Sequence, residues 1–292
     1  VVQLAKAIQA AGATIINTGI GWHEARVPTI ATSVPRRAFT WVTRKLMGQV
    51  GVPLITSSRI NTPEVAEQVL AGGCADIVSM ARPFLADPDF VAKAREGRAA
   101  SITPCIACNQ ACLDHTFEMK PASCLVNPRA GTETELIYTP TDRPKSLAVV
   151  GAGPAGLSAA LVAAQRGHLV TLFEKSAQIG GQMNLAKMIP GKEEFQGLLA
   201  HYGRELERSG VSLRVNTSAT PKMLQPFDDV IIATGVRPRD PQISGQDGPN
   251  VLTYAEVLRA KAAVGQRAAI IGAGGIGFDV AEFLAHDHDQ PS

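Results

Sequence analysis

The chain has 292 residues, of which 45% are hydrophobic and 18% are charged, and its formal net charge is +2. This length and composition are typical of about two globular domains, and a near-neutral chain without a basic block is not expected to bind nucleic acid or an anionic membrane surface. No apolar run approaches the ~18 residues that a membrane-spanning helix needs, so we expect no membrane partner.

The first hundred residues alternate between helix and strand signals. The chain begins without Met, in an apolar helical repeat that ends at Gly12, and strand-like runs follow at ATIINTG, PLITSSR and ADIVSMARP. Amphipathic segments lie between these runs, one of them opened by Thr62 and Pro63. Such alternation predicts a parallel sheet with crossover helices, and it matches the closing part of a β/α barrel. A full barrel takes ~250 residues, so either residues 1–100 are the C-terminal portion of a TIM barrel that begins before this chain does, or this part is not a barrel.

Several residues follow the strand-like runs, at the end of a barrel where active sites form. His23 follows the first run and is a candidate general acid, because the unperturbed pKa of histidine lies near neutrality. An exposed loop histidine is the alternative. Ser58 and Arg59 follow the second run, and Ala81 and Arg82 follow the third. Barrels commonly bind phosphate at these strands through loop amides and a helix N-terminus, although surface arginines are also common.

Four cysteines fall in residues 101–144 with the spacing C-x2-C-x3-C-x11-C. They are Cys105, Cys108, Cys112 and Cys124. Three thiolates in one short turn can bind three irons, and the later cysteine can bind the fourth iron. The spacing therefore favours a 4Fe-4S cluster. A structural zinc site would more often show two paired C-x2-C knuckles, and free thiols or disulfides are the remaining alternatives. We therefore assign this range to a cluster segment and linker.

The next segment, SLAVVGAGPAGLSAALVAAQRGHLVTLFEK, has the pattern of a strand, a G-x-G-x-x-G turn, a helix and a second strand that ends in an acid. Gly151 permits the tight turn, Gly153 lets a phosphate approach the backbone next to Ala155, and Gly156 allows close helix packing. Glu174 is placed to reach ribose hydroxyls. The segment predicts a Rossmann-like dinucleotide site.

A second fingerprint, RAAIIGAGGIGFDVAEFLA, repeats the strand, turn and helix with Gly272, Gly274 and Gly277. Two dinucleotide sites are needed when one ligand delivers hydride to another, so the pair implies a reduced nicotinamide that feeds a flavin. The residue that distinguishes NADPH from NADH falls about 20 residues after the first glycine, at the end of this chain. We assign residues 145–292 to one FAD/NAD(P)-binding domain that continues beyond the chain.

The chain resembles the bacterial NADPH-dependent 2,4-dienoyl-CoA reductases, which are iron-sulfur flavoproteins of the old yellow enzyme superfamily, grouped with trimethylamine dehydrogenase. The resemblance rests on four runs in the expected order: GIGWHEARVPTIAT, SSRINTPEVAEQVLAGGCADIVSMARPFLADPDF, CIACNQACLD with SCLVNPRA, and VVGAGPAGLSAA. It spans residues 13–279, and it implies about half a barrel before Val1 and the rest of a nucleotide-binding domain after Ser292.

The resemblance also implies roles for the candidate residues. FMN would occupy the barrel, with its phosphate held at residues 58–59 and 81–82, although the family more generally has Gly where Ser58 stands. FAD would occupy the first dinucleotide site, where the GGQM run supplies Gly181 and Gln182, and NADPH the second. His23 would assist protonation of the substrate beside a tyrosine that lies outside this chain.

The activity implied by the resemblance is reduction of 2,4-dienoyl-CoA thioesters in the β-oxidation of unsaturated fatty acids. Electrons would pass from NADPH to FAD, to the 4Fe-4S cluster, to FMN and to the acyl-CoA substrate. We expect a cytoplasmic multidomain α/β enzyme, and the oligomeric state stays open. Another enoate reductase, an amine dehydrogenase of the same superfamily and a non-catalytic electron-transfer piece are the alternatives. These 292 residues alone are expected to retain FAD in preference to FMN and to lack dienoyl-CoA turnover.

Overall fold

The computed structural model describes residues 1–259 and 262–286, and the chain divides into two compact units, Val1–Ile137 and Tyr138–Ser292. Each unit contains a parallel sheet with helices in the connections between its strands, which confirms the predicted α/β class. Within the described ranges, no helix combines the length and the apolar character needed to cross a membrane.

The first unit contains three short strands in the order β1-β2-β3. Its strands are β1 (Ile16–Thr18), β2 (Leu54–Thr56) and β3 (Ile77–Val78), and its helices are α1 (Val2–Ala10), α2 (Thr40–Leu46), α3 (Pro63–Ala71), α4 (Arg82–Ala86), α5 (Phe90–Arg95) and α6 (Leu113–Phe117). Strands β1 and β2 pair in parallel with Thr18 opposite Thr56, and β2 pairs with β3 with Thr56 opposite Val78. The predicted alternation of strands and helices is confirmed, while their membership of a TIM barrel stays a prediction.

Apolar packing and one buried hydroxyl network hold this sheet to its helices. Ala5 of α1, Leu46 of α2 and Leu54 of β2 form one buried cluster. Beside it, the hydroxyl of Thr43 in α2 donates to that of Thr56 over 2.9 Å and lies 2.5 Å from the hydroxyl of Thr18. Since buried hydroxyls cost free energy unless they are hydrogen-bonded, these contacts fix the position of α2 on the strands.

The second unit is built on a four-stranded parallel sheet in the order β6-β5-β4-β7. Its strands are β4 (Ser146–Val150), β5 (Leu169–Phe173), β6 (Ser212–Arg214) and β7 (Asp229–Ile232), and its helices are α7 (Pro154–Gln165), α8 (Met183–Ala186), α9 (Glu194–Ser209), α10 (Pro221–Leu224), α11 (Tyr254–Leu258) and α12 (Gly275–Ala285). Val149 of β4 and Leu157 of α7 are completely buried. The first glycine-rich run therefore lies between a core strand and a core helix, as predicted.

The second glycine-rich run differs from its prediction in one respect. Helix α12 begins at Gly275 as expected, but residues 267–271 do not form the predicted strand. A β-strand requires backbone hydrogen bonds to a neighbouring strand, and in the described part of the chain β7 is the last segment that pairs in a sheet.

Candidate functional site

The four cysteines of the C-x2-C-x3-C-x11-C run line one small pocket in the first unit. They are Cys105, Cys108, Cys112 and Cys124, and all are free thiols. Cys105 is buried, whereas the other three are half-buried. The fold thus brings together every cysteine that the spacing predicted to act jointly.

Backbone conformation explains how the first three cysteines face one pocket. Between Cys105 and Cys112, Ala107 has φ 51° and Asn109 has φ 63°. Both residues have the left-handed conformation, which changes the direction of the chain. The conformational free energy that this conformation costs is typical of segments at ligand sites. Helix α6 begins directly after Cys112, which is its N-cap residue.

Electrostatics link three of the thiols. Burial is the main cause that raises the pKa of Cys108 and of Cys124, and the proximity of Cys112 raises both further. Apolar, crowded thiols of this kind need a cation before they ionise, because both desolvation and like charge oppose the thiolate.

The same cysteines do not form a site for a single metal ion. Within residues 1–259 and 262–286, no three His, Cys, Asp or Glu side chains are grouped closely enough to hold one ion. A zinc ion would require thiolates no more than about 4.6 Å apart, which is twice its bond length to sulfur. The four cysteines therefore share one pocket, although in the described part of the chain no three of them are grouped for one ion.

Hydrogen bonds from side-chain amides and to a carboxylate connect the cysteine segment to the loop after β2 and to helix α4 with its C-cap residue. Asn61 Nδ2 donates to the carbonyl of Cys105 over 3.1 Å, and Asn127 Nδ2 donates to the carbonyl of Leu85 over 2.8 Å. The backbone amide of Thr103 donates to the buried carboxylate of Asp87 over 2.8 Å. The sequence analysis missed these anchoring residues, which are short polar side chains at loop positions.

Arg82 provides a further link to the cysteine segment. Its Nη1 donates to the carbonyl of Ile30 over 2.9 Å and to Oδ1 of Asn109 over 2.6 Å, and its side chain lines the cysteine pocket. Ala81, the other residue predicted after β3, is exposed and is the N-cap residue of α4. The predicted role of both residues in holding the FMN phosphate stays a prediction.

Ser58 and Arg59 occupy a left-handed turn after β2, with φ 75° and 54°. Arg59 is 5% exposed, and its Nε donates to the carbonyl of Val34 over 2.6 Å. The glycine that the family carries at position 58 would adopt this φ without strain.

His23 lies in the loop after β1, between two aromatic rings. Its ring stacks on Trp22 with centroids 5.1 Å apart, and its other ring contact is Phe117 at the end of α6, 5.2 Å away. The His23 side chain keeps 34% of its surface exposed. The candidate proton donor thus contacts the helix that follows Cys112, a contact between distant residues that the sequence analysis missed.

In the second unit, the first glycine turn has the geometry that its fingerprint predicted. Gly151 has φ 104°, and a Cβ there would lie 2.4 Å from the carbonyl oxygen of Ala233. A Cβ on Gly156 would lie 1.8 Å from the carbonyl oxygen of Gly151, whereas a Cβ on Gly153 would meet open space. Ala155 is exposed in the first turn of α7. The turn therefore offers a helix N-terminus with free approach, which favours binding of a phosphate.

Glu174 follows β5 and reaches back to this turn. Its carboxylate accepts hydrogen bonds from the backbone amides of Ala152 and Ser176, each over 2.8 Å. Burial acts to raise the pKa of Glu174, but these two amides and the Ser176 hydroxyl outweigh it and hold the pKa below the usual value. A buried carboxylate at this position stays ionised and can accept hydrogen bonds from sugar hydroxyls.

The GGQM loop lies against the same turn. The backbone amide of Gly180 donates to the carbonyl of Ala152 over 2.7 Å, and a Cβ on Gly181 would lie 3.2 Å from Gly153. Gln182 Nε2 donates to the carbonyl of Val236 over 2.9 Å. The hydroxyl of Tyr254, which the sequence analysis did not single out, donates to Oε1 of Gln182 over 3.3 Å.

The second glycine turn repeats the first at the backbone level. Gly272 has φ 111°, a Cβ on Gly277 would lie 2.0 Å from the carbonyl oxygen of Gly272, and a Cβ on Gly274 would meet open space. Asp279 on α12 forms an ion pair with Lys192, whose Nζ lies 2.6 Å and 2.7 Å from its two oxygens. Residues 287–292 of the predicted domain lie outside the described residues.

Comparison with protein families divides the chain at the cysteine segment. Residues 1–101 match the NADH:flavin oxidoreductase / NADH oxidase family, and residues 145–289 match the pyridine nucleotide-disulphide oxidoreductases. These two matches support the predicted flavin and nicotinamide binding, and neither covers the four cysteines.

Several known proteins are similar to this chain across both of these matched regions. A metal reductase of Desulforamulus reducens is 43% identical over 96% of this chain and 43% of its own length. A bilirubin reductase of Mediterraneibacter gnavus is 35% identical over 97% of this chain and 45% of its own length. The solved complex of 2-naphthoyl-CoA reductase with 2-naphthoyl-CoA superposes with a TM-score of 0.92 at 34% identity, over 97% of this chain and 44% of that one. The chain therefore spans less than half the length of these relatives.

Proposed function

Because this chain belongs to the flavin-dependent oxidoreductases of the old yellow enzyme and enoate reductase family, we propose that its protein reduces 2,4-dienoyl-CoA thioesters with NADPH. Each turnover would consume one NADPH and one proton, and it would convert the conjugated dienoyl thioester into an enoyl thioester. A solved relative in complex with another conjugated acyl-CoA supports a thioester substrate.

The observation that carries the proposal is the position of the cysteine pocket in the first unit. Asn61, after β2, binds the backbone of Cys105, and Arg82, after β3, binds Asn109. An electron carrier in this pocket would therefore lie beside the strand ends where a barrel oxidoreductase binds its flavin. An arrangement of this kind suits one-electron transfer into a flavin that then delivers two electrons to the substrate.

The chemistry and spacing of the donors support a 4Fe-4S cluster. Four cysteines with the spacing C-x2-C-x3-C-x11-C line one pocket. A cubane cluster takes one thiolate at each of four irons, so its ligands surround a body larger than an ion. Cys105, Cys108, Cys112 and Cys124 would hold the cluster, which would supply one-electron transfer between the two flavins.

The second unit would bind the dinucleotides. The turn at Gly151 and Gly153 presents helix α7 to the FAD diphosphate, and Glu174 would accept hydrogen bonds from the ribose hydroxyls. The turn at Gly272 and Gly274 would bind the NADPH diphosphate in the same way. The preference for NADPH over NADH rests on the resemblance of the whole chain to the dienoyl-CoA reductases.

In the first unit, backbone amides and arginines would hold the FMN phosphate, at Ser58, Arg59, Ala81 and Arg82. His23 would donate a ring proton to the substrate carbon as the conjugated system is reduced. Trp22 and Phe117 both contact the His23 ring and would help to position it toward the substrate.

A second candidate function is reduction of another conjugated acceptor by the same cofactors. It is favoured by the different acceptors in the names of the relatives, which cover this chain equally well. Initial rates of NADPH oxidation with 2,4-decadienoyl-CoA, 2-naphthoyl-CoA and bilirubin would separate the candidates. The proposal requires the dienoyl thioester to have the highest kcat/KM.

Cofactor content tests the electron path independently of substrate. The holoenzyme, purified without oxygen, is expected to contain four irons and four acid-labile sulfides per chain, together with FMN and FAD. Zinc without sulfide would exclude the cluster, and a protein with only one kind of flavin would contradict the path.

A further inference from the structure

Arg82 is a cation without a carboxylate partner among the described residues. Its hydrogen bonds go from Nη1 to two neutral acceptors, the carbonyl of Ile30 and the side-chain amide of Asn109. Among the described residues, Nε and Nη2 of Arg82 make no hydrogen bond. A guanidinium stays protonated in proteins, so the positive charge is permanent.

Arg82 lines the same pocket as Cys105, Cys108, Cys112 and Cys124, and its side chain is half-buried. A charge that is partly removed from water acts on its neighbours through a lower effective dielectric constant than a surface charge does. The two hydrogen bonds from Nη1 hold the guanidinium against Ile30 and Asn109, a constraint that a surface arginine without such bonds would lack.

We propose that Arg82 sets the reduction potential of the iron-sulfur cluster held by these four cysteines, and that it raises this potential. The inference rests on the proposed function, because it assumes that the pocket holds a cluster. Reduction adds one negative charge to a cluster that its four thiolates already make anionic. A fixed cation beside the pocket stabilises the reduced form more than the oxidised form, and net charge around a cluster is one of the determinants of its potential.

The role differs from binding of the FMN phosphate and is compatible with it. Phosphate would bind the guanidinium edge that carries Nε and Nη2, while Nη1 stays on Ile30 and Asn109. The reduction potential of the cluster would then depend on whether FMN is bound, because a bound phosphate would offset part of the charge of Arg82. For this reason the FMN content of each variant must be measured with its potential.

The test is an EPR-monitored redox titration of the holoenzyme and four variants. Arg82→Met removes the charge, Arg82→Lys keeps the charge, and Asn109→Ala removes one hydrogen bond while the charge stays. Arg98→Met is the matched control, because Arg98 is exposed and pairs with Glu96 over 2.8 Å. Iron, sulfide and FMN are determined for every sample before titration.

At the wild-type midpoint potential, the ratio of reduced to oxidised cluster is expected to fall at least tenfold in Arg82→Met, which is 59 mV for a one-electron couple. Arg82→Lys and Asn109→Ala should stay within threefold of wild type, and Arg98→Met should be unchanged. If Arg82→Met loses iron and sulfide, Arg82→Gln, which is also neutral but keeps a side-chain hydrogen-bond donor, is titrated in its place against the same expectation.

Two results would overturn the inference. An unchanged midpoint in Arg82→Met with full iron, sulfide and FMN content would show that the charge does not act on the cluster, and it would leave the proposed function intact. Loss of iron from both Arg82→Met and Arg82→Lys would show that the guanidinium shape is required for folding of the segment. A wild-type protein without labile sulfide would instead refute the proposed function, and the inference with it.

Discussion

The carboxylate of Glu174 accepts a hydrogen bond from the backbone amide of Ala152 over 2.8 Å, and this bond joins the end of β5 to the glycine turn after β4. A second bond of the same length comes from the amide of Ser176. Residues 22 positions apart are thereby held together beside the glycine turn of the predicted dinucleotide site. The contact gives Glu174 a structural role in addition to its predicted role toward the ribose.

We predict that Glu174→Gln destabilises the second unit at neutral pH by about 1–3 kcal/mol, because hydrogen bonds to a charged group contribute more than neutral ones. The pKa of Glu174 is lower in the folded chain than in the unfolded chain. Its contribution is therefore complete above the unfolded pKa, ~4.3, and it is lost as the pH falls from there through the folded value.

Urea unfolding at pH 7 and at progressively lower pH measures this effect. The difference in midpoint between wild type and Glu174→Gln should shrink as the pH falls below the unfolded pKa. Glu207→Gln, on the exposed side of α9, is the control and should shift the midpoint little at any pH. A difference that grows toward acid would contradict the assigned direction of the pKa shift.

Alanine substitutions at two glycines of the first turn are predicted to have different effects, one on stability and one on FAD binding. Gly156→Ala should destabilise the fold by about 3 kcal/mol or more, because its Cβ would lie 1.8 Å from a backbone oxygen. Gly153→Ala should leave the unfolding midpoint near that of wild type, since its Cβ would meet open space, but the methyl group would occupy the approach of the diphosphate.

Thermal unfolding and FAD content measured on the same samples separate these effects. Gly203→Ala in α9 is the control, because its Cβ also meets open space and alanine stabilises a helix interior relative to glycine by ~0.5–1 kcal/mol. Equal loss of stability in Gly153→Ala and Gly156→Ala would refute the separate roles of the two positions.

The difference between what the sequence predicts and what it misses follows the range of the interactions. The glycine turn is formed by local interactions within a six-residue motif. The motif accounts for the positive φ of Gly151 and Gly272 and for the close backbone contacts of Gly156 and Gly277. Sequence analysis therefore anticipated it at both positions. The thiol ring was also predictable, because ligand spacing within one short segment carries the chemistry.

The contacts around the thiols were not predictable in this way. Asn61 meets Cys105 across 44 residues, and Arg82 meets Asn109 across 27 residues. Asparagine is a common loop residue whose amide suits many partners, so its type does not identify its partner. The missing strand before Gly272 has a similar cause, because strand pairing depends on a distant neighbour as well as on the apolar run itself.

We predict that Ser58→Gly preserves or raises stability and leaves FMN content unchanged. A left-handed conformation costs a residue with a Cβ roughly 1–2 kcal/mol, and glycine avoids this cost while losing part of the gain to the entropy of its unfolded state. Ser58→Val should lower both stability and FMN content. Loss of FMN from Ser58→Gly at unchanged stability would show that the serine hydroxyl binds the phosphate.

The last prediction concerns His23, whose ring lies between Trp22 and Phe117. In the holoenzyme, His23→Ala should slow dienoyl-CoA reduction by ~100-fold to 10,000-fold, the usual contribution of a general acid. Reduction of the flavins by NADPH should stay near the wild-type rate, because the nicotinamide and FAD motifs lie in the second unit.

Stopped-flow measurement of the two half-reactions provides the internal control. His23→Gln keeps a side chain of similar length between the two aromatic rings but removes the titratable group, so it should be as slow as His23→Ala in the substrate half-reaction. If His23→Gln restored the rate, the ring would serve packing of the loop against Phe117. If both half-reactions fell together, His23 would support the fold of the cysteine segment, and the proton would come from another residue.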